Sequence, residues 1–160
     1  MIKFTGLLFI FMCFAAGGHL LAKREKERIE SCEGMLCLVR TIRQNIAFFR
    51  IPLDEIYKRF SYQALQSGSF LTQLHRQGLK SAYLAERERF GYDSFTESRF
   101  INFADSIGGL PLEEQLRSCD MLCEILEENL RESKSNYPTQ KKLYHVLSIS
   151  LGIAIVILFL

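Results

Sequence analysis

Apolar residues recur over residues 29–49 at spacings of three and four: Ile29, Cys32, Leu36, Val39, Ile42, Ile46 and Phe49. That period marks one face of an α-helix, with the charged residues between falling on the others. A second helix is predicted from Pro52, because proline suits the first helical turn; its apolar face is Leu53, Ile56, Tyr57, Phe60 and Ala64. Ser67-Gly68-Ser69 breaks the pattern. A third helix follows with Phe70, Leu71 and Leu74, weakens at Gly78, continues through Leu79, Ala82 and Tyr83, and ends at Gly91. Thr96 is predicted to cap a fourth, with Phe100, Phe103, Ala104 and Ile107 inward and Gly108-Gly109 closing it. Pro111 opens the last helix. Its seam of Leu112, Leu116, Cys119, Cys123, Leu126 and Leu130 is heptad-like and suits antiparallel packing on the first helix. Asn136-Tyr137-Pro138 is expected to interrupt or kink the path beyond it. No alternating strand pattern occurs, so the expected class is all-α, a bundle of about five to six helices.

The two ends differ from this amphipathic middle. Residues 4–22 carry no charged side chain, and Leu143–Leu160 is apolar apart from scattered polar groups such as Ser148 and Ser150. Each is apolar on all faces and close to the roughly 20 residues a membrane span needs. The expected organisation is an N-terminal transmembrane segment at 1–22, a helical-bundle domain at 23–142 and a C-terminal transmembrane segment at 143–160. The block Lys23-Arg24-Glu25-Lys26-Glu27-Arg28 follows the first segment directly, and Lys141-Lys142 precedes the second. Positive flanks stay on the cytosolic side, so the middle domain is expected in the cytosol. The alternative is an exported, membrane-tethered adaptor or sensor whose first segment is a cleaved signal peptide; the small patch Ala15-Ala16-Gly17-Gly18 would suit cleavage. Small residues at four-residue spacing, Gly18 with Ala22 and Ser148 with Gly152, would let helices approach closely.

Charge and composition narrow the chemistry. All charged residues except Lys3 lie in 23–142, and the formal net charge is only +2, which gives no electrostatic reason to expect nucleic acid. The five cysteines (Cys13, Cys32, Cys37, Cys119 and Cys123) are odd in number. Three of them sit on apolar stripes, which suits reduced core thiols better than disulfides or a zinc set. His19, His75 and His145 are scattered, and no nucleophile motif or glycine-rich phosphate loop is present. No catalytic, metal or cofactor site and no small-molecule substrate are expected. Glu86-Arg87-Glu88-Arg89 reads as a solvated face of alternating charge. Glu124, Glu127, Glu128 and Glu132 lie opposite the last seam, as a solvated face or a docking surface for a basic partner.

Three motifs carry a resemblance over nearly the whole chain, together with the apolar segment that runs directly into a charged helix. They are Ile46-Ala47-Phe48-Phe49-Arg50-Ile51-Pro52-Leu53; Phe103-Ala104-Asp105-Ser106-Ile107-Gly108 with Gln115 seven residues on; and Lys142-Leu143-Tyr144-His145-Val146-Leu147 leading into the apolar tail. In their order and spacing the chain resembles the stage III sporulation protein AB family. It departs from the family pattern at Pro111, where an aspartate is expected, at Ser148, where a glycine is expected, and at Pro138. The resemblance implies a non-catalytic component of the channel complex between mother cell and forespore, held in the mother-cell (outer forespore) membrane. It implies a cytosolic domain similar to that of type II secretion platform proteins, and as partners a secretion-type ATPase, stage III sporulation protein AA, other membrane components and the lipid bilayer. The expected partner-binding residues are Pro52, Leu53 and Glu55 in the inter-helix turn, and Gly108 and Gln115 in the later segment.

Overall fold

The structure is a computed structural model describing residues 2–159, without the side chains of residues 2–11, 13–15, 145, 156, 158 and 159. Among the described residues it contains no strand. The order is α1 (Ile2–Gln44), a π-helical segment (Asn45–Phe49), α2 (Leu53–Arg59), α3 (Gln63–Gln66), α4 (Phe70–Gln77), α5 (Leu79–Ala85), α6 (Arg87–Phe90), α7 (Ser94–Ser106) and α8 (Leu112–Phe159). The middle is more finely divided than expected. Gly78 takes φ +84°, a left-handed conformation open to glycine, and divides the expected third helix into α4 and α5. Two compact units result: Arg28–Glu132, and Met1–Glu27 with Ser133–Leu160.

In the first unit the stripe of α1 is buried from Ile29 through Ile46, with Met35 and Leu38 alongside it. Phe49, expected on the same stripe, is 71% exposed. The wider π turn at Asn45–Phe49 inserts an extra residue and swings Phe49 off the face. The seam of α8 is buried at Cys119, Leu122, Cys123, Leu126 and Leu130, whereas Leu112 is exposed. Arg40 donates to Glu127 at 2.7 Å and Arg43 to Asp120 at 3.1 Å, so α1 and α8 run antiparallel here. Burial pushes the Cys119 thiol up to about 12 and that of Cys123 to about 11, keeping both protonated and inert in this seam. Phe70, Tyr83, Phe90 and Phe100 form an aromatic core; Tyr83 and Phe100 are 4.6 Å apart by ring centroid and Phe70 meets Phe90 edge-on at 5.5 Å.

Two local expectations are corrected. Asp93, not Thr96, caps α7: its carboxylate accepts from the backbone N–H groups of Phe95 (3.1 Å) and Thr96 (3.3 Å), while Thr96 itself is buried. The segment from Glu86 to Arg89 is a solvated face only in part: Arg87 and Glu88 are exposed, but the outer two residues are not. Glu86 and Arg89 are largely buried and paired at 2.7 Å. Arg89 Nε donates to Ser31 Oγ of α1 at 2.9 Å, Nη1 to the Ser67 carbonyl at 3.0 Å, and Nη2 to Ser67 Oγ at 2.8 Å and to the Ala64 carbonyl. Glu86 Oε1 accepts from the backbone N–H of Phe70 at 3.0 Å and from Ser69, meeting the N–H groups that α4 leaves unpaired at its start. A Cβ at Gly68 would stand 2.7 Å from Arg89 Nη1, so a larger residue in this turn would have to displace the Glu86–Arg89 pair. Arg87 pairs with the buried Glu97 at 2.7 Å.

In the second unit Gly18, Ala22 and Gly152 are buried. A Cβ at Gly18 would lie 2.9 Å from Ser148 Cβ and 3.0 Å from the Tyr144 carbonyl oxygen, so the small pairs noted in the sequence sit at a close helix–helix approach. The helix α8 continues through Pro138, where an interruption was one expectation. Proline forfeits one backbone hydrogen bond there, and the turns on either side carry the helix on. Among the described residues no helix is long and apolar enough to cross a membrane. The first expected span falls mostly, and the second partly, on residues outside the described side chains.

Two outcomes follow. Gly34 of α1 faces Leu65 and Tyr62 so closely that an added Cβ would lie 2.8 Å from each. Alanine in place of glycine should favour the helix by about 1 kcal/mol. Overpacking of about 1–3 kcal/mol should outweigh that gain, so Gly34→Ala is expected to lower the Tm. Burial raises the Glu86 carboxyl, but the hydrogen bonds from Arg89 and Ser69 and the Arg89 charge outweigh it and hold the group below its ordinary value. The stability it contributes is therefore present above the ordinary carboxyl range and lost as pH falls through the depressed value. Glu86→Gln should cost about 1–3 kcal/mol at pH 7, by denaturant melts, and the difference from the parent should narrow as the pH falls below the ordinary carboxyl range.

Candidate functional site

The stretch between the end of α1 and the start of α2 builds a cleft. The π segment leaves Phe48 and Phe49 projecting, 77% and 71% exposed. Arg50 ends it in the left-handed conformation (φ +51°, ψ +35°) and is the sole non-glycine residue at positive φ among those described. That left-handed residue ends the helical run. Ile51 and Pro52 follow, and the Pro52 carbonyl accepts from Glu55 (3.0 Å) and Ile56 (3.2 Å) to start α2. From the other side comes the turn after α7. Gly108 lies against Leu53, where a Cβ would stand at an ordinary 3.5 Å from Leu53 Cδ1. The Pro111 carbonyl accepts from the Gln115 N–H at 2.9 Å, and Gln115 Nε2 donates back to the Leu110 carbonyl at 2.7 Å, fastening the turn to the first turn of α8.

The result is an open cleft of about 770 Å³. Its apolar wall is Ile46, Ile51, Pro52, Leu53 and Leu112; its polar groups are Arg50, Asp54 and Gln115. Four residues singled out in the sequence, Pro52, Leu53, Gly108 and Gln115, converge here although they come from two segments more than fifty residues apart. Glu55 does not line the cleft; it pairs with Arg59 one turn along α2. Sequence reasoning missed Ile46, Arg50, Asp54 and Leu112. Leu112 was assigned to the buried seam of α8, and its exposure follows from its place at the cleft mouth.

The acidic side of α8 is arranged differently. Glu124, Glu127, Glu128 and Glu132 line a second open cleft with Asp93 and Phe95. Part of its charge is already answered, Glu127 by Arg40 and Glu128 by Arg131 at 2.8 Å. No group of three or more His, Cys, Asp or Glu side chains comes together in a metal-binding arrangement among the described residues. The apolar cleft with few, converging polar groups is the stronger candidate for binding.

No curated protein and no solved structure matches the chain. The sequence model of the stage III sporulation protein AB family matches residues 3–160, essentially the full length, so the chain belongs to that family and has its role in sporulation.

Proposed function

We propose that the chain is a non-catalytic membrane platform of the sporulation channel complex between mother cell and forespore, and that its helical domain docks the secretion-type ATPase, stage III sporulation protein AA, at the cleft between α2 and the start of α8. The observation that carries this reading is the convergence of the two segments around Pro52 and Gly108 on one apolar recess flanked by exposed phenylalanines. Such a concave patch on a helical domain suits protein–protein contact. The charge-free stretch 4–22 and the apolar stretch from Leu143 support anchoring at both ends, in the mother-cell membrane. The basic flanks at Lys23-Arg24 and Lys141-Lys142 support a cytosolic domain.

Two measurements test it. Single cysteines at Glu88 and Glu128, in a background without native cysteines, should resist a membrane-impermeant maleimide in intact cells and react after lysis. Labelling in intact cells would put the domain outside and end the docking of a cytosolic ATPase. Gly108→Arg should place a long side chain over Leu53 without disturbing the fold. It should weaken binding of the purified ATPase at least about tenfold, or 1.4 kcal/mol, with an unchanged thermal melt. Unchanged affinity would remove the cleft from the docking surface.

A further inference from the structure

Arg50 stands where the backbone favours glycine. At φ +51° an L side chain crowds its own carbonyl, and the position after a helical segment is one that glycine fills without strain. A side chain held there at a cost normally repays it through local contacts. Arg50 has none: it is exposed, and among the described residues no hydrogen bond or ion pair engages its guanidinium. The left-handed backbone ends the π segment, a task glycine would do at less cost; arginine gains no contact within the fold there, and its presence puts a charged fork at the edge of the cleft, beside the projecting Phe48 and Phe49.

Resting on the docking reading above, we infer that Arg50 is the charge-reading residue of the cleft: it holds a carboxylate of the docked partner, whose neighbouring apolar side chain enters between Leu53 and Leu112. The occupant is thus a protein segment that pairs an apolar anchor with an Asp or Glu. Charge complementarity selects it. The planar guanidinium matches a carboxylate in two-point contact. Asp54 lies in the same cleft and disfavours a uniformly acidic segment, so one placed carboxylate fits better than an acidic run. The apolar wall of Ile51, Leu53 and Leu112 gives a side chain somewhere to go that a polyanion could not use.

The test separates folding from binding by using the residue that the backbone prefers. The full chain in detergent is titrated with the purified sporulation ATPase, for the parent, Arg50→Gly, Arg50→Lys and Gly108→Arg. Arg50→Gly should melt at or above the parent temperature and yet bind roughly ten- to a hundredfold more weakly. Arg50→Lys should fall between the two, keeping charge without the fork. The gap between parent and Arg50→Gly should shrink at high salt. A lower melting temperature for Arg50→Gly with unchanged affinity would make the arginine structural and overturn the inference. Weaker binding for Gly108→Arg with none for Arg50→Gly would keep the docking cleft and discard the carboxylate. A parent that fails to bind would sink both. A parent dimer in sedimentation that Arg50→Gly dissociates would make a second copy the occupant and overturn the assignment to a partner protein.

Discussion

One polar hub ties α1, α3, α4 and α6 together, the guanidinium of Arg89. It reaches Ser31 on α1, the Ala64 and Ser67 carbonyls where α3 ends, and Glu86, whose carboxylate in turn caps α4. Helices as short as Gln63–Gln66 and Arg87–Phe90 have no cooperative stability of their own. Their unpaired terminal groups need partners, and a five-donor fork supplies several at once. The arrangement works only because Gly68 leaves room for it. The aromatic core of Phe70, Tyr83, Phe90 and Phe100 closes beside this hub, so apolar packing and polar satisfaction are set by the same turn.

Much of this architecture was legible in the residues. Pro52 and Pro111 mark helix starts, Ser67-Gly68-Ser69 marks a break, and the stripe from Ile29 to Ile46 names the buried face. What escaped was whatever depends on a residue's distant neighbours. Glu86 and Arg89 look like a solvated pair because local spacing is all that charge alternation reports; their burial comes from α1 and α3. Asp93 and Thr96 are both good caps in isolation, and it is the extended backbone at Asp93 (φ −66°, ψ 163°) that gives it the cap position. Phe49 keeps a helical spacing in the sequence, yet a single π turn rotates it into solvent.

The cleft shows the same division. Pro52, Leu53, Gly108 and Gln115 stood out as turn and cap residues, in two segments with no visible relation. The fold brings them together, because α1 and α8 run side by side and the adjoining turns meet at one end of that pair. Arg50 was invisible as a site residue, since no feature of an arginine side chain announces a left-handed backbone. A left-handed arginine is a local conflict between residue and backbone, and only the structure displays it.

The pairing of α1 with α8 has a further consequence for how the chain is made. Arg40 and Glu127 are 87 residues apart, and Arg43 and Asp120 are 77 apart. The helix that pairs with this stretch of α1 is therefore the last of this unit to leave the ribosome. At roughly 5–20 residues per second, the apolar face of α1 waits several seconds for its cover. During that interval it is a nascent surface open to chaperones or to neighbouring nascent chains. The unit closes only when its final helix arrives, so a truncated product would be left with an uncovered stripe rather than a smaller fold.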